Sequence, residues 1–345
     1  MTRRTRRTLL VVAGVLLLLA VAIFLRSKAP PEAARLLPES DGILYVDLRP
    51  IRTLTHFKNI KPPERVPDYQ QFVDATGIDW ERDLDEVAVS LHRMSNPNGP
   101  NGPVAYSMVL EGKVDGKRLA SYLDAHSAGK ENYDGQTVYS LPSEGRTVRV
   151  VQIGYDMIAI SNAPSTEQIH SILDRHRSAA LPFSGSTLLA EHYSEMPLLS
   201  VAWGMGQIGL PFSESGKLRI LGMDLPLAAD TTFLASVHWA GSLKLRVVEI
   251  APTEAAAISQ ANNLNLLLNL AQGATAGLAD SPANNTLKEV LRTTQITQHR
   301  DRVTADATLP QNLPVELLNG GDGGDGANSG AASGSGSEAT PGAKP

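Results

Sequence analysis

The chain has 345 residues, with 31 Lys and Arg against 36 Asp and Glu, a formal net charge of −5 at pH 7 and no cysteine. The missing cysteines exclude disulfides, thiolate nucleophiles, cysteine-based zinc or iron–sulfur sites and a lipid-modified N-terminal cysteine. Six of the basic residues and none of the acidic ones fall within the first 28 residues, so the remainder carries about −11, a balance that disfavours nucleic acid as a partner.

Arg3, Arg4, Arg6 and Arg7 precede an uninterrupted apolar run from Leu9 to Leu25. As a helix this run spans about 26 Å, close to the hydrocarbon thickness of a bilayer. The arginines favour a cytoplasmic N-terminus, which predicts a single-pass anchor in the cytoplasmic (inner) membrane with the bulk of the chain extracytoplasmic. A cleaved signal peptide is the rival reading. Its apolar core is usually shorter, about 7 to 15 residues, and only Ser27-Lys28-Ala29, followed by Pro30, fits a cleavage site. Thr5-Arg6-Arg7-Thr8-Leu9-Leu10 resembles a twin-arginine export signal, but a positive anchor flank explains it more simply.

Residues 1–28 therefore read as flank and anchor, and 29–37 (Ala-Pro-Pro-Glu-Ala-Ala-Arg-Leu-Leu) as a short tether. Beyond the tether, Gly42–Leu48 reads as a strand, Tyr69–Thr76 as a short helix, and Glu86–Leu91 with Ala105–Leu110 as a hairpin. Leu119, Tyr122, Leu123 and His126 share one face of a helix that follows Asp115. Thr137–Leu141, Val148–Ile153 and Met157–Ser161 read as strands, before a helix opened by Pro164 and a Ser165-x-x-Gln168 capping box, with Ile169, Ile172, Leu173 and His176 on its apolar face. The second half repeats this grammar loosely. Leu198–Trp203 is a strand, Thr231–Trp239 and Leu243–Ile250 form a hairpin, a long helix runs from near Thr253 to about Gln272, and Asn285–Thr293 and Val303–Leu309 follow as helix and strand. The expectation is an α+β fold of two mixed or antiparallel-sheet lobes with packed helices, residues 38–180 and 181–318, as pseudo-repeats. From Asn319 to Pro345, Gly, Ser, Ala, Asp and Pro dominate, and this tail is expected to be disordered.

The long helix stands out chemically. No charge occurs from Ala255 to Ala279, and Asn262, Asn265, Asn269 and Gln272 form one narrow amide stripe, while Leu264, Leu267, Leu268, Leu270 and Ala271 cover most of the remaining circumference. The stripe is either a set of partner-contact residues or the wet edge of a largely buried helix.

Catalytic and cofactor motifs fail on inspection. Gly204-x-Gly206-x-x-Gly209 matches a dinucleotide fingerprint, but Leu210-Pro211-Phe212 follows where a helix must open. Asp79, Glu81, Asp83 and Asp85 alternate like a calcium loop, yet Leu84 stands at the glycine position and Ser90 at the glutamate position. Gly320–Asp325 is one lone copy of a glycine/aspartate calcium repeat. His170 and His176 lack metal-type spacing, His126 and His176 read as helix C-terminal caps, and His238 is expected to be exposed near Lys244 or Arg246. No cofactor or metal is expected. Asn284-Asn285-Thr286 matches a glycosylation acceptor.

The opening Leu37-Pro38-Glu39-Ser40-Asp41-Gly42-Ile43-Leu44-Tyr45-Val46-Asp47-Leu48, directly after an anchor, resembles uncharacterised bacterial envelope proteins with a Leu-Pro-x-x-x-x-x-Leu-Tyr-Val-x-Leu start, and Thr76–Leu84 is similar to a segment of that acidobacterial-type group. The resemblance covers about the first 170 residues; it implies a single-pass extracytoplasmic protein of unknown function and carries no site residues. The expected function is a non-enzymatic binding or envelope-assembly module, contacting an envelope protein or a second copy of itself. The alternative is an anchored hydrolase assembled from His92, His238 and the acids near Asp79.

Overall fold

The structure, a computed structural model, describes Val12 and residues 29–310 apart from 55–66, 100–101, 144, 179–184, 208–216, 221–222 and 227–230. The expected anchor (Val12 aside) and tail lie outside the described residues. Among those described, no helix is long and apolar enough to cross a membrane.

The fold is mixed α+β, built on a 12-stranded sheet whose pairs are all antiparallel. Its strands are β1 (Gly42–Asp47), β2 (Leu84–Arg93), β3 (Val104–Gly112), β4 (Gly129–Tyr133), β5 (Gln136–Ser143), β6 (Arg146–Ile153), β7 (Met157–Ser161), β8 (Ser200–Gln207), β11 (Thr232–Trp239), β12 (Leu243–Ile250), β13 (Gln295–His299) and β14 (Arg302–Leu309). Strands β9 (Lys217–Ile220) and β10 (Met223–Pro226) pair separately. Spatial order is β13-β14-β12-β11-β8-β1-β2-β3-β7-β6-β5-β4. The two halves of the chain therefore meet in one sheet: β1 pairs with β2 on one side and with β8 on the other.

Ile43 and Tyr45 on β1, Ala88 on β2, Val109 on β3, Ala159 on β7, and Trp203 and Met205 on β8 turn one face into the main core. Tyr45 stacks on Trp203 at 5.2 Å between ring centroids. Three helical pieces cover that face: α1 (Glu32–Arg35), α6 (Glu167–Ser178) and α7 (Thr187–His192). The segment expected to be a tether is thus part of the core. Ala33, Ala34, Leu36 and Leu37 are all at 0% exposure, and burying each leucine is worth about 1.5–3 kcal/mol.

The opposite face carries a second core under α3 (Pro67–Thr76) and α5 (Gly116–His126), following α2 (Leu48–Leu54) and with the one-turn α4 (Trp80–Asp83) between them. Asp115 caps α5 as its position requires, accepting from the backbone N–H of Lys117 and Arg118. Further along the chain, α8 (Glu254–Ala276) packs on β13 and β14 and beside α9 (Pro282–Thr293).

Several elements escape the sequence pattern. Strand β4 is polar and lies on the sheet edge, so no apolar alternation marks it; the signal that finds it is Asp134-Gly135, both with positive φ, the two-residue turn of a hairpin. The Ser165 capping box is not formed: α6 starts at Glu167, and the Ser165 hydroxyl donates to the Glu167 carboxylate at 3.4 Å. The helix at Asn285 starts earlier, at Pro282, because Ser281 caps it and proline suits the first turn.

Candidate functional site

Helix α8 does not lie as its composition suggests. Its buried residues are Ala257, Gln260, Ala261, Ala271 and Thr275, small groups that let the backbone approach the sheet. The large apolar side chains Ile258, Leu266 and Leu270 are 47%, 60% and 52% exposed, whereas Leu264, Leu267 and Leu268 are half-buried, so of the leucines named from the sequence Leu270 stands in solvent. Of the amide stripe, Asn262, Asn265 and Asn269 are exposed. Asn265 donates to the Ala261 carbonyl of its own helix. Gln272 leaves the stripe and donates to the Leu291 carbonyl of α9 at 2.9 Å, so it ties two helices together. Buried Gln260 leaves its amide nitrogen without a partner. Beyond Glu254, the outer face of α8 is therefore uncharged and mixes the apolar Ile258, Leu266 and Leu270 with asparagines and small residues.

The hydrolase residues do not converge. His92 lies near the end of β2 beside Gly42, whereas His238, near the end of β11, aligns with Ser200 at the other end of β8. Six residues of strand, about 20 Å, separate those two levels of the sheet. His238 is buried at 8% exposure, contrary to expectation, because the sheet continues past it into Lys244 of β12; its Nδ1 has no partner, and burial lowers its pKa. Asp79 caps α4, accepting from the Glu81 N–H. Asp83 pairs with Arg82, and Asp85 pairs with Arg52, so the acids form a capped, ion-paired turn rather than a ligand set. Among the described residues no cluster of three His, Asp or Glu is placed to hold a metal.

His92 has different company. Its Nε2 lies 3.2 Å from Ser90 Oγ and 3.1 Å from Ser107 Oγ, and Ser107 Oγ lies 3.0 Å from Ser161 Oγ. Ser90, Ser107 and Ser161 are direct cross-strand neighbours on β2, β3 and β7. All three serines are at 0% exposure, and burial holds His92 below its usual pKa. This is a Ser–His contact of nucleophile type that no substrate can reach, and it serves as a hydrogen-bonded layer in the core.

A second row of polar groups crosses the same strands, with Asp47, Glu86 and Glu111 side by side on β1, β2 and β3. Arg49 donates to both Asp47 and Glu86. Burial, followed by the charges of Glu86 and Asp156, pushes Glu111 up to about 7. On β12, burial alone pushes Glu249 up to about 7.

The glycine motif is settled by the sheet. Gly204 and Gly206 lie inside β8, paired with β1 and β11, and a Cβ at Gly204 would meet Leu44 Cδ2 at 2.7 Å. Gly209 lies outside the described residues. Two glycines in a central strand offer no helix N-terminus for a pyrophosphate.

Sequence reasoning missed one concave feature. Between α3, α5 and the sheet face of β3, β5, β6 and β7 lies a cavity of ≈ 610 Å3. Phe72 and Trp80 stack at 5.2 Å with 6° between their planes, and Tyr122 meets Phe72 edge-on at 5.3 Å. The signal was present as an aromatic on each of α3, α4 and α5, but only the tertiary fold brings them together.

The geometry defines a mixed α+β protein with a broad antiparallel sheet, an uncharged exposed helix and an aromatic-walled cavity. No family model matches the chain, and no curated protein matches it. Among solved structures it is similar to TP0453, in crystal form III at 12% identity and a TM-score of 0.45 over 84% of this chain and 99% of that one, and in crystal form I at 13% identity and 0.44 over 85% and 98%.

Proposed function

We propose that the protein is a membrane-anchored extracytoplasmic binding or envelope-assembly module, held by residues 9–25 in the cytoplasmic membrane with its N-terminus inside, and not an enzyme. The observation that carries this reading is the outer face of α8: Leu266 and Leu270 beside Asn262, Asn265 and Asn269, over 23 residues with one charge, at Glu254. A solvated helix face is ordinarily rich in charge, and exposed apolar groups in a row mark an interaction surface. A protein partner of the envelope fits it, with neutral amides forming hydrogen bonds at no cost of charge burial.

The two halves of the chain are read as pseudo-repeats. Supporting this, the orders β1-β2-β3-β7-β6 and β8-β11-β12-β14-β13 run outward from the β1–β8 pair in matching sequence, with α5 and α8 each following the third strand.

Cross-linking in intact cells of the native host, followed by purification through a tag on the tail and mass spectrometry, tests the binding reading. A stoichiometric envelope partner that is lost when Asn262, Asn265 and Asn269 become lysine, with the thermal melt unchanged, supports it. Recovery of the protein alone overturns the heteromeric form.

A further inference from the structure

The cavity beneath α3 and α5 is graded from one end to the other. Its deep end is formed by Leu119, Leu123 and Ile158, which are 2–3% exposed. At its other end stand Ser143 and His126, both exposed, with the half-buried Tyr122. The registers explain the gradient: on this face Ile158 lies level with Gln152, whereas Ser143 is the last residue of β5, at the opposite end of the strands. His126 ends α5 and uses Nδ1–H to bond the Tyr122 carbonyl at 2.8 Å, which leaves Nε2 outside that bond. Among the described residues, no Asp, Glu, Lys or Arg lines the cavity.

We propose that this cavity is a binding site for the single hydrocarbon chain of an amphiphile, with the chain end against Leu119, Leu123 and Ile158 and the polar head at Ser143, His126 and Tyr122. Three features select this class. The volume of ≈ 610 Å3 falls within the ordinary range of ligand pockets and leaves room for a chain with a small head. The uncharged lining rejects an ionic group in the interior, because an unpaired buried charge is expensive. Ser143, His126 and Tyr122 stand at the exposed end, so a ligand apolar at one end and polar at the other satisfies both. A free fatty acid and a lysophospholipid share this chemistry.

The test uses the full chain reconstituted in lipid nanodiscs, with empty nanodiscs as the blank. Native mass spectrometry with dodecanoic acid, and separately with lysophosphatidylcholine, each below its micellar concentration, reads stoichiometry and source. Binding of one molecule of either supports the site, and the stronger arm identifies the source. Twelve-carbon bromododecanoic acid then locates it, since bromine quenches only indoles in contact. Quenching that saturates in the wild type and is lost in Trp80→Phe, while binding persists within about threefold, places the chain beside Trp80 and away from Trp203 and Trp239. Leu141→Trp fills the cavity from its half-exposed wall and is expected to weaken binding at least tenfold. Should either variant fail to fold by circular dichroism, the wild-type stoichiometry still decides. The proposal is overturned by no saturable binding of either amphiphile up to its micellar concentration, by quenching that persists in Trp80→Phe, or by one-to-one binding of 1-naphthol with none of the amphiphiles.

Discussion

Helices α5 and α8 cover the same face of one sheet in opposite ways. On α5 the large residues Leu119 and Leu123 point inward, at 2% and 3% exposure, and join Phe72, Trp80 and Tyr122 in a thick core that still leaves a cavity. On α8 the inward residues are Ala257, Ala261 and Ala271 with the half-buried Leu264, and the core beneath them is thin, Ala251, Val303 and the half-buried Ile296. Its Ile258, Leu266 and Leu270 face outward. A helix that buries leucine is held by side-chain volume, whereas one that buries alanine sits close and can leave larger groups exposed. Apolar content alone therefore does not say which way a helix faces.

Breaking this contrast begins at the deepest residues. Leu123→Ala, or Leu119→Ala, is expected to cost about 2–4 kcal/mol by chemical denaturation, as lost transfer energy plus a cavity. The matching truncation on α8, Leu266→Ala, is expected to change stability by less than about 0.5 kcal/mol, because the side chain is 60% exposed. Equal costs at the two positions would remove the distinction.

Leu37→Ala, in the segment ahead of β1, is expected to cost as much as the α5 truncations, about 2–4 kcal/mol, since Leu37 is at 0% exposure. A tether would lose nothing.

A further effect is pH-dependent. The Glu249 carboxyl is raised to about 7 in the folded chain by burial, above its value of about 4.3 when unfolded. Between these two values the folded state holds more protons than the unfolded state, so stability falls as pH rises and the full penalty is present above about pH 8. Glu249→Gln is expected to stabilise by about 3–4 kcal/mol at pH 8 and to change nothing at pH 4. Glu111→Gln is expected to act in the same direction, because its carboxyl is also raised to about 7. Thermal melts at the two pH values check both; a gain that is equal at both would refute the assignment.

A small effect is also expected at Gly204→Ala. The added methyl meets the end of Leu44, a side chain 40% exposed and able to turn aside. A cost below about 1 kcal/mol in the denaturation midpoint is expected, whereas the same change in a phosphate-binding turn would abolish function with no change in stability.

What the sequence determined by itself was the local structure. The period-2 runs at Gly42–Asp47 and Thr232–Trp239, the helix behind Asp115 and the long helix behind Thr253 all formed, because alternation and capping are short-range properties carried by neighbouring residues. Polar β4 was hidden, since an edge strand is held by backbone pairing and leaves no apolar trace. The amide stripe was legible as a pattern, but its loss of Gln272 to α9 was not. Only the tertiary structure decided that Leu36 and Leu37 are core, that β1 and β8 fuse the two halves into one sheet, that α8 turns Leu266 and Leu270 outward, and that Phe72, Trp80 and Tyr122 enclose a cavity. Each of these depends on what lies opposite a side chain. Periodicity says that a residue has an apolar side; the partner that meets it comes from a distant part of the chain, and its size sets which residues are buried.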